Sequence, residues 1–245
     1  MTIEVFILVA AVLLISAFIK GVTGFGTSLI AIPILIFFVM EPGEARALIV
    51  SINLFLNMYI LLSARKLTYA HAKPYLLLII SVFIAALISG FLLGRMTAEL
   101  FQILMGILLL FTAINRFFEI RFHIKNPKRY FVPLGLVGGT LNTLIGAGSV
   151  PVLIFLGNTD LKKSEFRVTV SLFLLILNGG SLISFLISGS YSAQIATWAL
   201  IFFPIMIIGT YLGIKSQHQF NERTFSKVIA VMLFIIGINS IFGIL

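Results

Sequence analysis

The feature that most constrains this 245-residue chain is a series of long apolar runs along almost its whole length. A helix needs roughly 20 apolar residues to cross the hydrocarbon core of a bilayer. Six runs meet that length, at residues 44–63, 74–94, 98–118, 164–187, 193–214 and 222–244. A soluble chain of this size could not bury so much apolar surface. The runs therefore predict an all-α polytopic membrane protein.

Composition and charge support the same class. The chain is 60% hydrophobic and 10% charged, whereas soluble domains have about 25% charged residues. Its net charge of +9 does not indicate a nucleic-acid partner, because nearly all basic residues fall in short loops between the apolar runs. We expect the lipid bilayer of an inner membrane as the surroundings, and no nucleic acid as a partner.

Catalytic and metal-binding residue sets are missing from the apolar runs. The chain has no cysteine, its three histidines fall in loops, and none of its eight acidic residues lies in the middle of a run. Acid/base catalysis and metal coordination both need such side chains close together. The sequence thus predicts no enzyme, no metal and no cofactor.

Two further apolar regions are interrupted by glycines. Residues 3–40 break around Gly24 and Gly26, and residues 131–157 break at Gly138-Gly139 and again from Gly146 to Ser149. Basic loops are enriched on the cytoplasmic side, and this rule favours no net crossing for either region. Each is then a re-entrant-like broken hairpin, and both termini lie on the outer side. The arms of 3–40 are long enough to reach the far side without changing this topology.

The two halves of the chain, 1–125 and 126–245, resemble each other. Pro33, Asn57, Gly90 and Gly94 recur in the same order as Pro151, Asn178, Gly209 and Gly213. Each half has a broken hairpin followed by three membrane helices. Three crossings are an odd number, so the second half is inverted relative to the first. Inverted repeats with a midplane site at broken helices are common in secondary transporters.

The two breaks are the primary candidates for a substrate site, because irregular backbone at membrane depth either lines a cavity or is buried in protein. The start of a helix offers free N–H groups and a positive dipole end, so two such starts facing each other would hold an anion. The alternative is that the glycines only allow close helix contact and the hydroxyls only satisfy backbone. The candidates are Gly24, Gly26, Thr27 and Ser28 at the first break, and Asn142, Gly146, Gly148 and Ser149 at the second.

Further candidates lie on polar stripes and at one internal cation. Their spacings put Arg46, Asn53 and Asn57 on one helical face, and Arg167, Ser171 and Asn178 on another. Asn57 and Asn178 could donate to a substrate or bond between helices, and the two arginines could meet the anion or only snorkel. Lys20 is a cation well inside an apolar stretch, where charge is costly. It either serves the site or reaches cytoplasmic water.

The motif Gly24-Phe-Gly-x-x-Leu followed by Pro33 resembles the TauE/SafE family of membrane transporters, the sulfite exporters. So do Gly146-Ala-Gly-Ser-Val-Pro151 and the late Gly-x-x-x-Gly of each half. The resemblance covers almost the whole chain and implies transport of sulfite, sulfonates such as sulfoacetate, or related anions. Hydroxyl residues replace some of the glycines that the family often has at each break, so the resemblance does not fix the substrate.

The sequence therefore predicts a secondary transporter that exports a small, sulfur-containing anion. Three alternatives stay open at this point: a carrier of another solute, a membrane-embedded enzyme, and a structural subunit. The Gly-x-x-x-Gly motifs would allow close helix contact either within one chain or in a homodimer.

Overall fold

The computed structural model describes residues 2–23, 26–63, 73–120, 124, 126–158 and 163–243. These ranges contain ten α-helices and no strand. The helices are α1 (Ile3–Thr23), α2 (Thr27–Phe38), α3 (Pro42–Ser63), α4 (Leu76–Ile88), α5 (Ala98–Phe117), α6 (Phe131–Ile145), α7 (Ser149–Gly157), α8 (Lys163–Ile187), α9 (Ala193–Ser216) and α10 (Glu222–Phe242). The prediction of an all-α polytopic membrane protein is confirmed.

Six helical segments in the described ranges have the length and apolarity of membrane spans. They are Ile3–Thr23, Lys73–Arg95, Ala98–Phe117, Thr169–Ile187, Ala193–Ser216 and Thr224–Phe242. The predicted run at 44–63 lies in α3, next to residues outside the described ranges. Large apolar side chains such as Phe91, Ile187 and Phe242 are more than two-thirds exposed, as expected where lipid covers a helix.

The arms of the two broken regions differ in length. With 21 residues, α1 is long enough to span, whereas α2, α6 and α7 have 12, 15 and 9 residues. At 1.5 Å per residue, these three helices are too short to cross a bilayer alone. The sequence suggested that both arms of 3–40 could reach the far side; the length of α1 allows this, whereas the 12 residues of α2 are too few.

The chain forms two compact units that do not follow its two halves. Unit 1 comprises Met1–Ile49, Met96–Ile120 and Thr197–Leu245, and unit 2 comprises Val50–Arg95 and Arg121–Ala196. The division falls inside α3 and α9. It groups residues by compactness, so the division of the sequence into repeats at 1–125 and 126–245 stays a prediction.

In unit 1, α1 packs closely on α9. A Cβ on Gly209 would lie 2.8 Å from the Cβ of Ala17, and a Cβ on Gly213 would lie 2.9 Å from the Cα of Gly21. The rings of Phe6 and Phe202 stack with centroids 5.0 Å apart. Helices α5 and α10 also pack closely, because a Cβ on Gly106 would lie 2.9 Å from a backbone oxygen of α10.

In unit 2, α6 packs closely on α4. A Cβ on Gly139 would lie 2.7 Å from the Cβ of Ala85, and a Cβ on Gly135 would lie 3.0 Å from the carbonyl oxygen of Leu78. Each unit therefore joins the first arm of one half's broken hairpin to a membrane helix of the other half. The late glycines Gly90, Gly209 and Gly213 make contacts within the chain.

Candidate functional site

The first break lies in unit 1, between α1 and α2. Gly26 precedes α2 with φ 106° and ψ −1°, a conformation that favours glycine, and no side chain caps the helix. In the described part of the chain, no atom lies within 4 Å of the position that a Gly26 Cβ would take. Gly24 lies outside the described residues. Among the described residues, nothing caps α2 and nothing packs against Gly26.

The two threonines that flank this break differ. Thr23 donates its hydroxyl to the carbonyl oxygen of Ile19 at 2.8 Å, as is common in helices. Thr27, the first residue of α2, is 2% exposed, and its Oγ1 has no hydrogen-bond partner among the described residues. Ser28 is half-buried and has a partner. The start of α2 therefore holds a buried hydroxyl that no described group satisfies.

Unit 1 also contains the buried cations. Lys20, in the last turn of α1, is 8% exposed, and Arg46 near the start of α3 is 6% exposed. Both residues have interaction partners. The buried residues of the described part of unit 1 include no acidic side chain, so its described fully buried charges are positive.

The second break lies in unit 2, between α6 and α7, and its backbone is tightly packed. Gly146 ends α6 with φ 74°, and Gly148 has an ordinary φ of −67°. A Cβ on Gly148 would overlap the carbonyl oxygen of Gly138 and the backbone nitrogen of Asn142. Gly148 is therefore required for close approach, whereas Gly26 is required for its dihedral angles. Ser149 opens α7 and is half-buried.

Side chains around the second break hydrogen-bond to one another. Asn142 donates from Nδ2 to the Ser181 hydroxyl at 3.0 Å and lies 3.5 Å from Oδ1 of Asn178. Thr143 Oγ1 lies 3.0 Å from the Ser181 hydroxyl and 3.0 Å from the carbonyl oxygen of Ala86. Asn142, Thr143, Asn178 and Ser181 are all buried. This cluster, called the amide–hydroxyl network below, joins α6 to α8 and α4.

Each asparagine that the sequence offered as a donor already donates to its own helix. Asn57 donates to the carbonyl oxygen of Asn53 at 2.7 Å, and Asn178 donates to that of Leu174 at 2.6 Å. One Nδ2 proton of each remains for another acceptor. The stripe on α3 is divided, because Arg46 belongs to unit 1 while Asn53 and Asn57 belong to unit 2.

The stripe on α8 is only partly described. Arg167 lies in α8, but its side chain is outside the described residues. Ser171 is buried. Near Asn178, the Cδ1 of Leu54 lies 3.8 Å from the position that a Gly179 Cβ would take. The parts of the two stripes that belong to unit 2 are therefore on neighbouring helices.

Two buried polar residues that the sequence pattern did not indicate are notable in the structure. Ser181 is the centre of the amide–hydroxyl network, and Thr210 on α9 has a buried hydroxyl without a partner among the described residues. Ser181 could have been found from the spacing Asn178-x-x-Ser181-x-x-Ser184, which is one face of a helix. No spacing in the sequence distinguishes Thr210, because the burial of its hydroxyl depends on the helices that pack around it.

A cavity of about 440 Å³ lies in unit 1 between α2, α5 and α10. Its walls are apolar apart from Gln102, Asn239 and Ser240. Such walls offer little to an anion that has lost its hydration shell, so the cavity is not the candidate site. In the described residues, His, Asp and Glu form no group that could hold a metal ion.

Membrane-length helices, helix starts at glycine breaks and many exposed apolar side chains define a multi-pass membrane protein. The family model of the sulfite exporter TauE/SafE family matches residues 8–240. The chain therefore belongs to this family, as its motifs predicted. Searches of the curated proteins and of the solved structures return no match.

Proposed function

We propose that this transporter exports a small sulfur-containing anion, such as sulfite or an organosulfonate, across the inner membrane. The carrying observation is that α2 begins at a glycine break, without a side-chain cap and with the buried Thr27 hydroxyl in its first turn, in a chain of the sulfite exporter family. The first N–H groups of a helix have no partner within it, and the positive dipole end favours an anion. Tetrahedral sulfur oxyanions present several acceptor oxygens to such groups.

Outward transport agrees with the energetics of an anion in a polarised cell. A membrane potential of ~100 mV, negative inside, is worth roughly 2.3 kcal/mol per elementary charge. That energy concentrates a monoanion outside by roughly 50-fold without a coupling ion. We also propose that the two halves form an inverted repeat, which is supported by the equivalent pairings of α1 with α9 and of α6 with α4. We place both termini on the outer side, which the distribution of basic loops supports.

The test is flux through proteoliposomes that contain the purified protein in one orientation, established by the accessibility of a C-terminal tag. Vesicles are loaded with sulfite, sulfoacetate, thiosulfate, sulfate or taurine, and a potassium diffusion potential of either sign is imposed. We expect sulfite or sulfoacetate to move toward the positive side, without a proton gradient. Absence of flux for all five solutes, in protein that elutes as a single species, would contradict the proposed substrate class.

A further inference from the structure

The two breaks differ in whether their polar groups are already satisfied. At the first break, the Thr27 hydroxyl is buried at the start of a 12-residue helix and has no partner among the described residues. An unsatisfied buried hydroxyl destabilises the folded state. A bound ligand that completes the hydrogen bonding is one explanation for such a group. Thr27 lies at the same end of α2 as the first N–H groups of the helix, which have no partner within it.

The surroundings of the first break favour a negative ligand. Lys20 is buried in the last turn of the helix that leads into the break, seven residues before Thr27 in the sequence. The buried residues described in unit 1 include no acid. Charge of one sign in a low-dielectric region attracts the opposite charge strongly.

The second break has the opposite character. The Asn142, Thr143 and Ser181 side chains bond to one another or to backbone carbonyls. The described buried residues of unit 2 include amides and hydroxyls but no cation. The packing of Gly148 against Gly138 leaves no room for even a methyl group. A ligand at this break would have to replace hydrogen bonds that the protein already makes.

We infer that the transported anion is held at the first break alone, with the Thr27 hydroxyl and the N–H groups at the start of α2 as its donors. The second break is a closed structural joint that the amide–hydroxyl network fixes in place. This inference rests on the proposed function and assigns its site. It differs from the expectation of the sequence, which gave both breaks the same role.

The experiment makes the same substitution, threonine to valine, at each of the two breaks. Thr27→Val and Thr143→Val each replace a buried hydroxyl by a methyl group of similar size. Purified variants in detergent are titrated with sulfite, sulfoacetate and thiosulfate by calorimetry, and their melting temperatures are measured without ligand. Thr27→Ser, which keeps the hydroxyl, is the matched control.

We expect Thr27→Val to weaken anion binding by about 10- to 150-fold, the range for one hydrogen bond to a charged group. Its melting temperature should stay the same or rise, because an unsatisfied group has been removed. Thr27→Ser should bind like the unchanged protein. Thr143→Val should show the reverse pattern, with a lower melting temperature and unchanged affinity.

The outcomes separate this inference from the proposed function. If the unchanged protein binds none of the three anions, the proposed substrate class is wrong. If it binds one and Thr27→Val binds equally well, the assignment to the first break is overturned. The same follows if Thr27→Val fails to fold, because the hydroxyl would then have a partner within the chain. Weaker binding in Thr143→Val at an unchanged melting temperature would move the site to the second break.

Discussion

Unit 1 and unit 2 each contain one glycine break, yet they use their polar residues differently. Unit 1 buries Lys20, Arg46 and the Thr27 hydroxyl, which has no described partner, whereas the buried polar side chains described at the second break are neutral and bond to one another or to backbone carbonyl oxygens. The contrast teaches that two glycine breaks that look alike in the sequence can differ in whether their donor groups have partners. A break can hold a ligand only where the fold leaves donors without partners.

The largest effect should follow from Gly148→Ala. The added methyl group would overlap backbone atoms of α6, which cannot move aside like a flexible side chain. We expect the free energy of unfolding to fall by about 3 kcal/mol or more. The Cβ that Gly26→Ala adds would have no described atom within 4 Å. We therefore expect its free energy of unfolding to fall by only about 1–2 kcal/mol, because alanine is strained at a positive φ.

Thermal unfolding in detergent measures both variants. Gly157→Ala, at the far end of the helix that Gly148 precedes, would place its Cβ more than 4 Å from any described atom, so it is the control and should unfold like the unchanged protein. Equal losses of unfolding free energy in Gly148→Ala and Gly26→Ala would contradict the difference in packing between the two breaks.

A smaller effect is expected from Lys20→Met, which tests the electrostatic side of the comparison. Removing this buried cation should lower the affinity for sulfite, sulfoacetate and thiosulfate alike, by about tenfold. A field from a charge acts on all anions, whereas a hydrogen bond discriminates by geometry. Calorimetric titration of all three anions measures the effect.

Lys215→Met removes the same charge from an exposed position of unit 1 and serves as the control. It should leave affinity nearly unchanged, because solvent screens exposed charge. A loss confined to one of the three anions in Lys20→Met would mean that Lys20 contacts the substrate directly.

The smallest effect should be at Gly94, which occupies the same motif position in the first half as Gly213 in the second. No described atom lies within 4 Å of a Gly94 Cβ, whereas a Gly213 Cβ would overlap the carbonyl oxygen of Phe18. We expect Gly94→Ala to change the free energy of unfolding by less than about 0.5 kcal/mol. Gly213→Ala should be clearly destabilising in the same thermal assay, and similar values for the two would contradict the packing of α1 on α9.

Much of the architecture could be predicted because a bilayer imposes simple requirements on sequence. The helical class, five of the six membrane-length segments found in the described ranges and the positions of both breaks follow from apolar length and glycine placement. The family followed from the paired motifs. The first arm was harder to interpret, since a 21-residue apolar helix beside a break can be read either as a full crossing or as part of a hairpin.

The candidate site was less predictable, and Asn178 shows why. Its sequence context indicates an amide on a membrane helix, but not that its Nδ2 donates to Leu174 and its Oδ1 faces Asn142. Nothing in the sequence distinguishes the Thr27 hydroxyl from the Thr143 hydroxyl. Only the packing around them distinguishes a satisfied group from an unsatisfied one.

The sequence by itself determined that this chain spans a membrane, where it breaks, and which family it belongs to. Those properties depend on local composition and spacing, because the bilayer acts on each segment separately. The tertiary structure decided which glycines are needed for contact and which for conformation, and which hydroxyls have partners. These properties depend on atoms far apart in the chain, such as Gly21 with Gly213 and Thr143 with Ser181. Hydrogen bonds and steric overlap act over a few ångströms, so only the folded arrangement reveals them.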